Sequence, residues 1–199
     1  MQICRSKITV NIRPSFCLAL SVCLLAVPLK IVVAWLLAAV FHELCHITVL
    51  YIFRVKIYSI KIGFLGAEIE TEPVSTKIEF YAALAGPVGS VILIFLYRCF
   101  PTISFFALIQ TVSNMFPFGE RDGHRMLRCM LVKYFGPVYG ARIFIKISIV
   151  VKLLIMLILL YICIVLKFLL PIVIVLLAYM VKIPCKAGKQ IVQYKHLKG

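Results

Sequence analysis

Residues 32–53 read VVAWLLAAVFHELCHITVLYIF. A membrane crossing takes about 20 consecutive apolar residues, and this stretch is long enough for one. Its middle nevertheless holds two imidazoles and a carboxylate, His42, Glu43 and His46. On insertion scales an acid at that depth costs roughly 2.5–3.5 kcal/mol, and membrane segments rarely retain such groups without a partner or a function. On a helix, residues four apart share a face, so His42 and His46 can reach one cation while Glu43 stands one step round. This HExxH pattern is the zinc-hydrolase arrangement: two ligands and a general base that takes a proton from an activated water.

The rest of the chain makes a membrane setting the only economical one. Of its 199 residues 63% are hydrophobic and 15% charged, with a mean hydropathy of +1.08. A water-soluble domain runs nearer ~45–50% apolar and ~25% charged. The net charge of +15 comes from 22 Lys+Arg against 7 Asp+Glu. The cations fall in the gaps between apolar runs rather than on one polar module, which suits an anionic membrane leaflet and argues against nucleic acid as a partner.

Six apolar spans can be drawn, over about 15–29, 32–53, 79–97, 102–118, 147–166 and 168–182. With the N-terminus in the cytosol, Lys30, Arg98 and Lys167 are the cations left on the far side, and Lys152 lies within a span. By the positive-inside rule that asymmetry places both termini in the cytosol. The expected fold is an all-α, six-span transmembrane bundle forming one domain over 1–182, with a basic cytosolic tail over 183–199 that binds the lipid surface. The N-terminal Arg5, Lys7 and Arg13 before an apolar run imitate a signal peptide, but no small-x-small cleavage site precedes Pro28, so the segment reads as retained. The eight cysteines offer no outside pair to bridge.

Two longer connections, about 54–77 and 119–146, face the cytosol in this drawing. In the first, Val55–Ile62 is rich in β-branched residues, Gly63 to Gly66 can turn the chain, and Ala67–Glu72 alternates. The pattern predicts a short β-hairpin at the membrane surface, whose open edge could capture an extended peptide. In the second, Asn114-Met115-Phe116-Pro117-Phe118-Gly119-Glu120-Arg121-Asp122-Gly123 opens with a helix break at Pro117 and Gly119. Two histidine ligands need a third, often a carboxylate. Asp122, the chain's single aspartate, can reach back toward the second span, with Glu120 and His124 as rival ligands.

These residues together resemble the site-2 protease (M50) family of intramembrane zinc metalloproteases. His42-Glu43-Leu44-Cys45-His46 is similar to its HExxH helix, and Asn114-x-x-Pro117 followed by Asp122-Gly123 to its second motif, at the spacing of the stage IV sporulation protease FB branch. Ala85-Gly86-Pro87 resembles the stretch opening its third span, and the Gly63–Glu72 loop its membrane-associated hairpin. The resemblance covers roughly 15–182. It implies one Zn2+ per chain at His42, His46 and Asp122, with Glu43 as general base and acid. It further implies that Asn114 holds the substrate strand or oxyanion, with Gly63, Gly66 and Pro117 among the substrate-binding positions. The implied substrate is a membrane-tethered protein such as a sigma-factor precursor, with a membrane protein as regulatory partner and a bacterial cell membrane as location. The sequence departs from the family where Cys45 replaces a common Gly, where Gly89 and Ser90 replace an amide residue, and at His124. No PDZ or CBS domain is expected. The rival readings are a non-proteolytic transporter or proton path through the same polar cluster, and a metal-binding pseudoprotease scaffold.

Overall fold

The computed structural model describes residues 9–63, 66–117, 119 and 121–166. The chain divides into two compact units, Met1–Met115 and Phe116–Gly199. The expected sixth span and the basic tail lie outside the described residues.

The first unit begins with strand β1 (Thr9–Ile12), then helices α1 (Pro14–Ala26) and α2 (Leu29–Ile52). Strands β2 (Ile57–Gly63) and β3 (Gly66–Thr71) follow, and then α3 (Thr76–Phe95), a 3-10 turn (Leu96–Arg98) and α4 (Pro101–Met115). Local chemistry sets most boundaries. Proline at the first turn starts α1, where its missing N–H and fixed φ cost nothing. Ser75 caps α3 by accepting the Ile78 N–H at 3.4 Å, and Glu79 adds a carboxylate to the first turn, favourable against the helix dipole.

The packing is inverted relative to a water-soluble protein. Ala38, Ala83, Ala107, His42 and Ser90 are fully buried, whereas Leu37, Val40, Val88, Val91 and Phe95 are exposed. Large apolar groups thus face outward and small or polar ones inward, as lipid surroundings require. Two helices are long and apolar enough to cross a membrane, Leu29–Ile52 and Thr76–Arg98. At 1.5 Å per residue the 24 residues of α2 reach about 36 Å, enough for the ~30 Å hydrocarbon core. The protein is a mostly helical membrane protein carrying a small sheet.

That sheet is larger than the expected hairpin. β2 and β3 pair antiparallel from Ile57↔Thr71 to Gly63↔Gly66, but β1 adds to the other edge of β2, parallel, from Thr9↔Ser59 to Ile12↔Ile62. The order β1-β2-β3 leaves β2 in the centre. Arg13, just past β1, donates its backbone N–H to the Ile62 carbonyl at 2.9 Å and its guanidinium to Glu68 at 2.6 Å. The N-terminal segment, expected only as a basic approach to the first span, is therefore a strand. Its four residues are too few and too exposed to announce a pairing partner nearly fifty positions away.

The second unit corrects another expectation. Residues 119–146, read as a loop, are helical nearly throughout: α5 (Asp122–Leu166) is two helices meeting at Gly136, whose φ of 77° is left-handed. Glycine tolerates that conformation, and Pro137 then starts the second helix. The chain folds back there, because a Cβ on Gly140 would lie 2.6 Å from the Leu131 carbonyl carbon and 2.8 Å from Val132 Cα. The His124 ring meets Phe144 edge-on at 4.4 Å across the same fold, and Phe144 is fully buried. The basic residues of 121–146 suggested a solvated loop, yet spread along paired helices they occupy faces rather than a coil.

Candidate active site

Helices α2 and α3 meet along two stripes of residues spaced by four. His42 and His46 form the stripe on α2, both buried. Ala82, Gly86 and Ser90 form the stripe on α3, also buried. His42 Nδ1 lies 2.8 Å from Ser90 Oγ, and His46 Nδ1 lies 2.6 Å from the Ala82 carbonyl. Two ring nitrogens are thus tied at opposite ends of one stripe, which requires the helices to run antiparallel. A carbonyl can only accept, so His46 carries its proton on Nδ1 and bears its lone pair on Nε2.

Gly86, between the two anchors, explains why the rings can share one space. A Cβ there would lie 2.6 Å from His42 Nε2 and closer still to His46 Nε2. Both Nε2 atoms therefore converge on the same bare patch of α3 backbone. The ring centroids are 4.8 Å apart with an interplanar angle of 80°. Gly89 plays the matching part for Cys45, whose thiol and Cβ occupy the room a Cβ would need. Cys45 is a small packing group on that contact.

This arrangement fits a zinc ion on a structural observation: two imidazoles, each hydrogen-bonded from behind at Nδ1, present Nε2 to one locus kept open by a glycine. Metal-binding histidines commonly have their second nitrogen held in this way. His42 and His46 are both buried, and Asp122, the third ligand that the sequence suggested, is buried as well. Asp122 is the first residue of α5, and the expected helix break precedes it: α4 ends at Met115 and Gly119 has a φ of 76°.

Glu43 faces a different element. The Ala67 N–H donates to Glu43 Oε1 at 3.4 Å, and a Cβ on Gly66 would lie 3.6 Å from the same oxygen. Gly66 itself has a φ of 123°, which disfavours any side chain. The start of β3 thus rests against the candidate base. At the ring nitrogen that faces Gly86, Asn114 Nδ2 donates to His42 Nε2 at 2.9 Å.

The structure therefore brings together His42, Glu43, His46, Asn114 and Gly66. Gly63 lies instead against Arg13, its nearest side-chain neighbour, 3.5 Å from where a Cβ would be. Pro117 is partly buried just past α4. Of the rival ligands, the His124 ring packs on Phe144, and Glu120 falls outside the described residues. The sequence reading missed Ala82 and the anchoring part of Ser90. The signal was present as a run of small residues at 82, 86 and 90, but their role needs the partner helix to be known.

On the hairpin, the Glu70 carboxyl is held below the ordinary carboxylate range, first by its hydrogen bond from Lys61 and then by that from Ser59.

No family model matches the chain, and no curated protein does. Among solved structures the fold is similar to the Site-2 Protease from Methanocaldococcus jannaschii, at 22% identity and a TM-score of 0.61, covering 85% of this chain and 87% of that one. The chain has the fold of a site-2 protease.

Proposed function

We propose that the protein is an intramembrane zinc metalloprotease, which hydrolyses a peptide bond in or near the transmembrane segment of a membrane-tethered protein, at its cytosolic side. One observation carries this reading: His42 and His46 direct Nε2 to a shared locus over Gly86, beside a carboxylate that touches the start of a strand. His42, His46 and Asp122 are the proposed ligands of one zinc ion. When bound, zinc would polarise the scissile carbonyl and lower the pKa of the attacking water.

The chain's own groups account for the remaining chemistry. Glu43 takes a proton from the attacking water and gives it to the leaving amine nitrogen as the C–N bond breaks. Asn114, with an amide adjoining His42, is placed to donate to the carbonyl oxygen as charge develops there. A substrate helix must first unwind, because its carbonyls are occupied by their own hydrogen bonds.

An extended substrate segment finds its place at β3. The order β1-β2-β3 leaves β1 and β3 as edge strands among the described ones, and of these β3 is the one that reaches Glu43. The Ala67 N–H leaves the β2–β3 ladder to meet Glu43, so this edge faces the candidate base, and Ile69, two residues on, shares it. A strand added there would run past Glu43 and exchange its carbonyl for the carboxylate at the Ala67 N–H. Gly63, Gly66 and Pro117 are further proposed substrate-binding positions. The charge asymmetry supports a multi-pass membrane protein with cytosolic termini, and the motif spacing supports a bacterial one whose substrate is a regulator precursor, as in the sporulation branch.

Purified protein in detergent, with zinc quantified, should cleave members of a panel of single-span proteins, and Glu43→Gln should lower the rate by about 10²–10⁴-fold. Equal cleavage by both would discard the proposal. Stoichiometric zinc with no cleavage would leave a metal-binding scaffold, and absence of zinc a transporter or proton path.

A further inference from the structure

We infer that Ser90 is a positioning residue, whose hydroxyl orients the His42 ring so that Nε2 faces the locus over Gly86; the inference rests on the proposed zinc site. Ser90 Oγ and His42 Nδ1 are 2.8 Å apart, and both residues are fully buried, so water does not compete for either group.

The two rings are held by unlike partners. His46 is tied to the Ala82 backbone carbonyl, which no side-chain substitution removes and which admits only an Nδ1–H. His42 is tied to a hydroxyl, which can accept or donate. Accepting from Nδ1–H leaves the Nε2 lone pair directed inward. Donating would place the proton on Nε2, the nitrogen that must face the metal. Asn114 selects between these states: its amide N–H donates to Nε2 at 2.9 Å, which requires a lone pair there and hence a proton on Nδ1. The Ser90 hydroxyl is therefore the acceptor, and His42 is clamped between two polar groups on different helices, α3 and α4.

The spacing shows why Ser90 alone can do this on α3. Ala82, Gly86 and Ser90 are successive members of one four-residue stripe, with an anchor, a gap and an anchor. Without a hydroxyl at 90, His42 Nδ1 would lose this partner. The ring could then turn about its side-chain bonds and carry Nε2 away from the shared locus.

The test uses substitutions matched in shape. Ser90→Thr and Ser90→Val place nearly the same volume at the site and differ in the hydroxyl. In purified full-length protein, zinc affinity measured against a chelating dye should fall about 10–100-fold in Ser90→Val and Ser90→Ala relative to wild type, with Ser90→Thr well above Ser90→Val. The cobalt-substituted protein should show a changed d–d absorption band in Val and Ala while keeping the wild-type band in Thr. In metal-free protein labelled with 15N-histidine, one ring locked with its proton on Nδ1 should lose that lock in Val and keep it in Thr. Wild-type affinity, cobalt band and tautomer pattern in Ser90→Val and Ser90→Ala would overturn the inference. If wild type bound no zinc, the functional reading would fall, and the 15N spectra would still decide whether Ser90 holds His42.

Discussion

The α2–α3 contact and the three-stranded sheet both border Glu43, and they are built on opposite terms. In the helix contact the decisive residues are small, uncharged and buried: Ala82, Ala83, Gly86 and Gly89. In the sheet they are charged and largely exposed, with Arg13 paired to Glu68 and Lys61 to Glu70. Lipid-embedded helices gain little from hydrophobic sorting, so close backbone approach and a few buried hydrogen bonds hold them, and a single methyl is a large perturbation. Exposed ion pairs are screened by water and individually weak. The rigid half therefore presents the proposed ligands, and the soft half presents the edge on which a substrate strand would lie.

The sharpest way to break this contrast is Gly86→Ala. Its Cβ would occupy the space of both Nε2 atoms, so zinc binding and cleavage should be lost outright, a fall of more than about 100-fold in either. Retained zinc stoichiometry would mean that the rings do not converge there. Next in size is Gly89→Ala, which drives a methyl into Cys45 and should destabilise the helix pair by about 1–3 kcal/mol. Thermal melts in detergent should show the loss, and Cys45→Gly in the same chain should restore part of it, since residues in contact are coupled.

Gly66→Ala tests the border between the halves. The residue must hold a φ of 123° beside Glu43, and strain of about 1–3 kcal/mol at the turn should slow cleavage while leaving zinc affinity unchanged. Loss of zinc instead would show the sheet to be as integral to the metal site as the helices are.

The smallest effect belongs to Glu70. Its folded-state carboxyl titrates lower than in the unfolded chain, so its contribution is present above the ordinary value of about 4.5 and is lost as pH falls through the lower folded value. Wild type and Glu70→Gln should therefore differ slightly at neutral pH and converge on acidification, read as melting temperature against pH. A constant difference across that range would exclude Lys61 and Ser59 as the source.

Much of the first unit was readable in advance, and the reason is local. Two histidines four apart on a helix share a face whatever surrounds them, and a carboxylate between them, in the middle of an apolar run, is too costly to be incidental. The apolar runs at 32–53 and 79–97 became α2 and α3 to within a few residues, because chain length against bilayer thickness admits few alternatives. Pro117 and Gly119 likewise marked the end of α4 through their own backbone restrictions.

What stayed hidden depends on which surfaces meet. β1 exists because β2 offers an unpaired edge, and nothing within Thr9–Ile12 names that partner. The fold-back at Gly136 turned a basic stretch into paired helices, although Gly136-Pro137 is an ordinary break on paper. Ala82, Gly86 and Ser90 are unremarkable small residues until α2 is laid antiparallel against them, when one becomes an anchor, one a gap and one a hydroxyl clamp. Spacing along one helix is written in covalent geometry and can be read from the residues. The register between two helices is a property of their packing, and it appears only once the chain has folded.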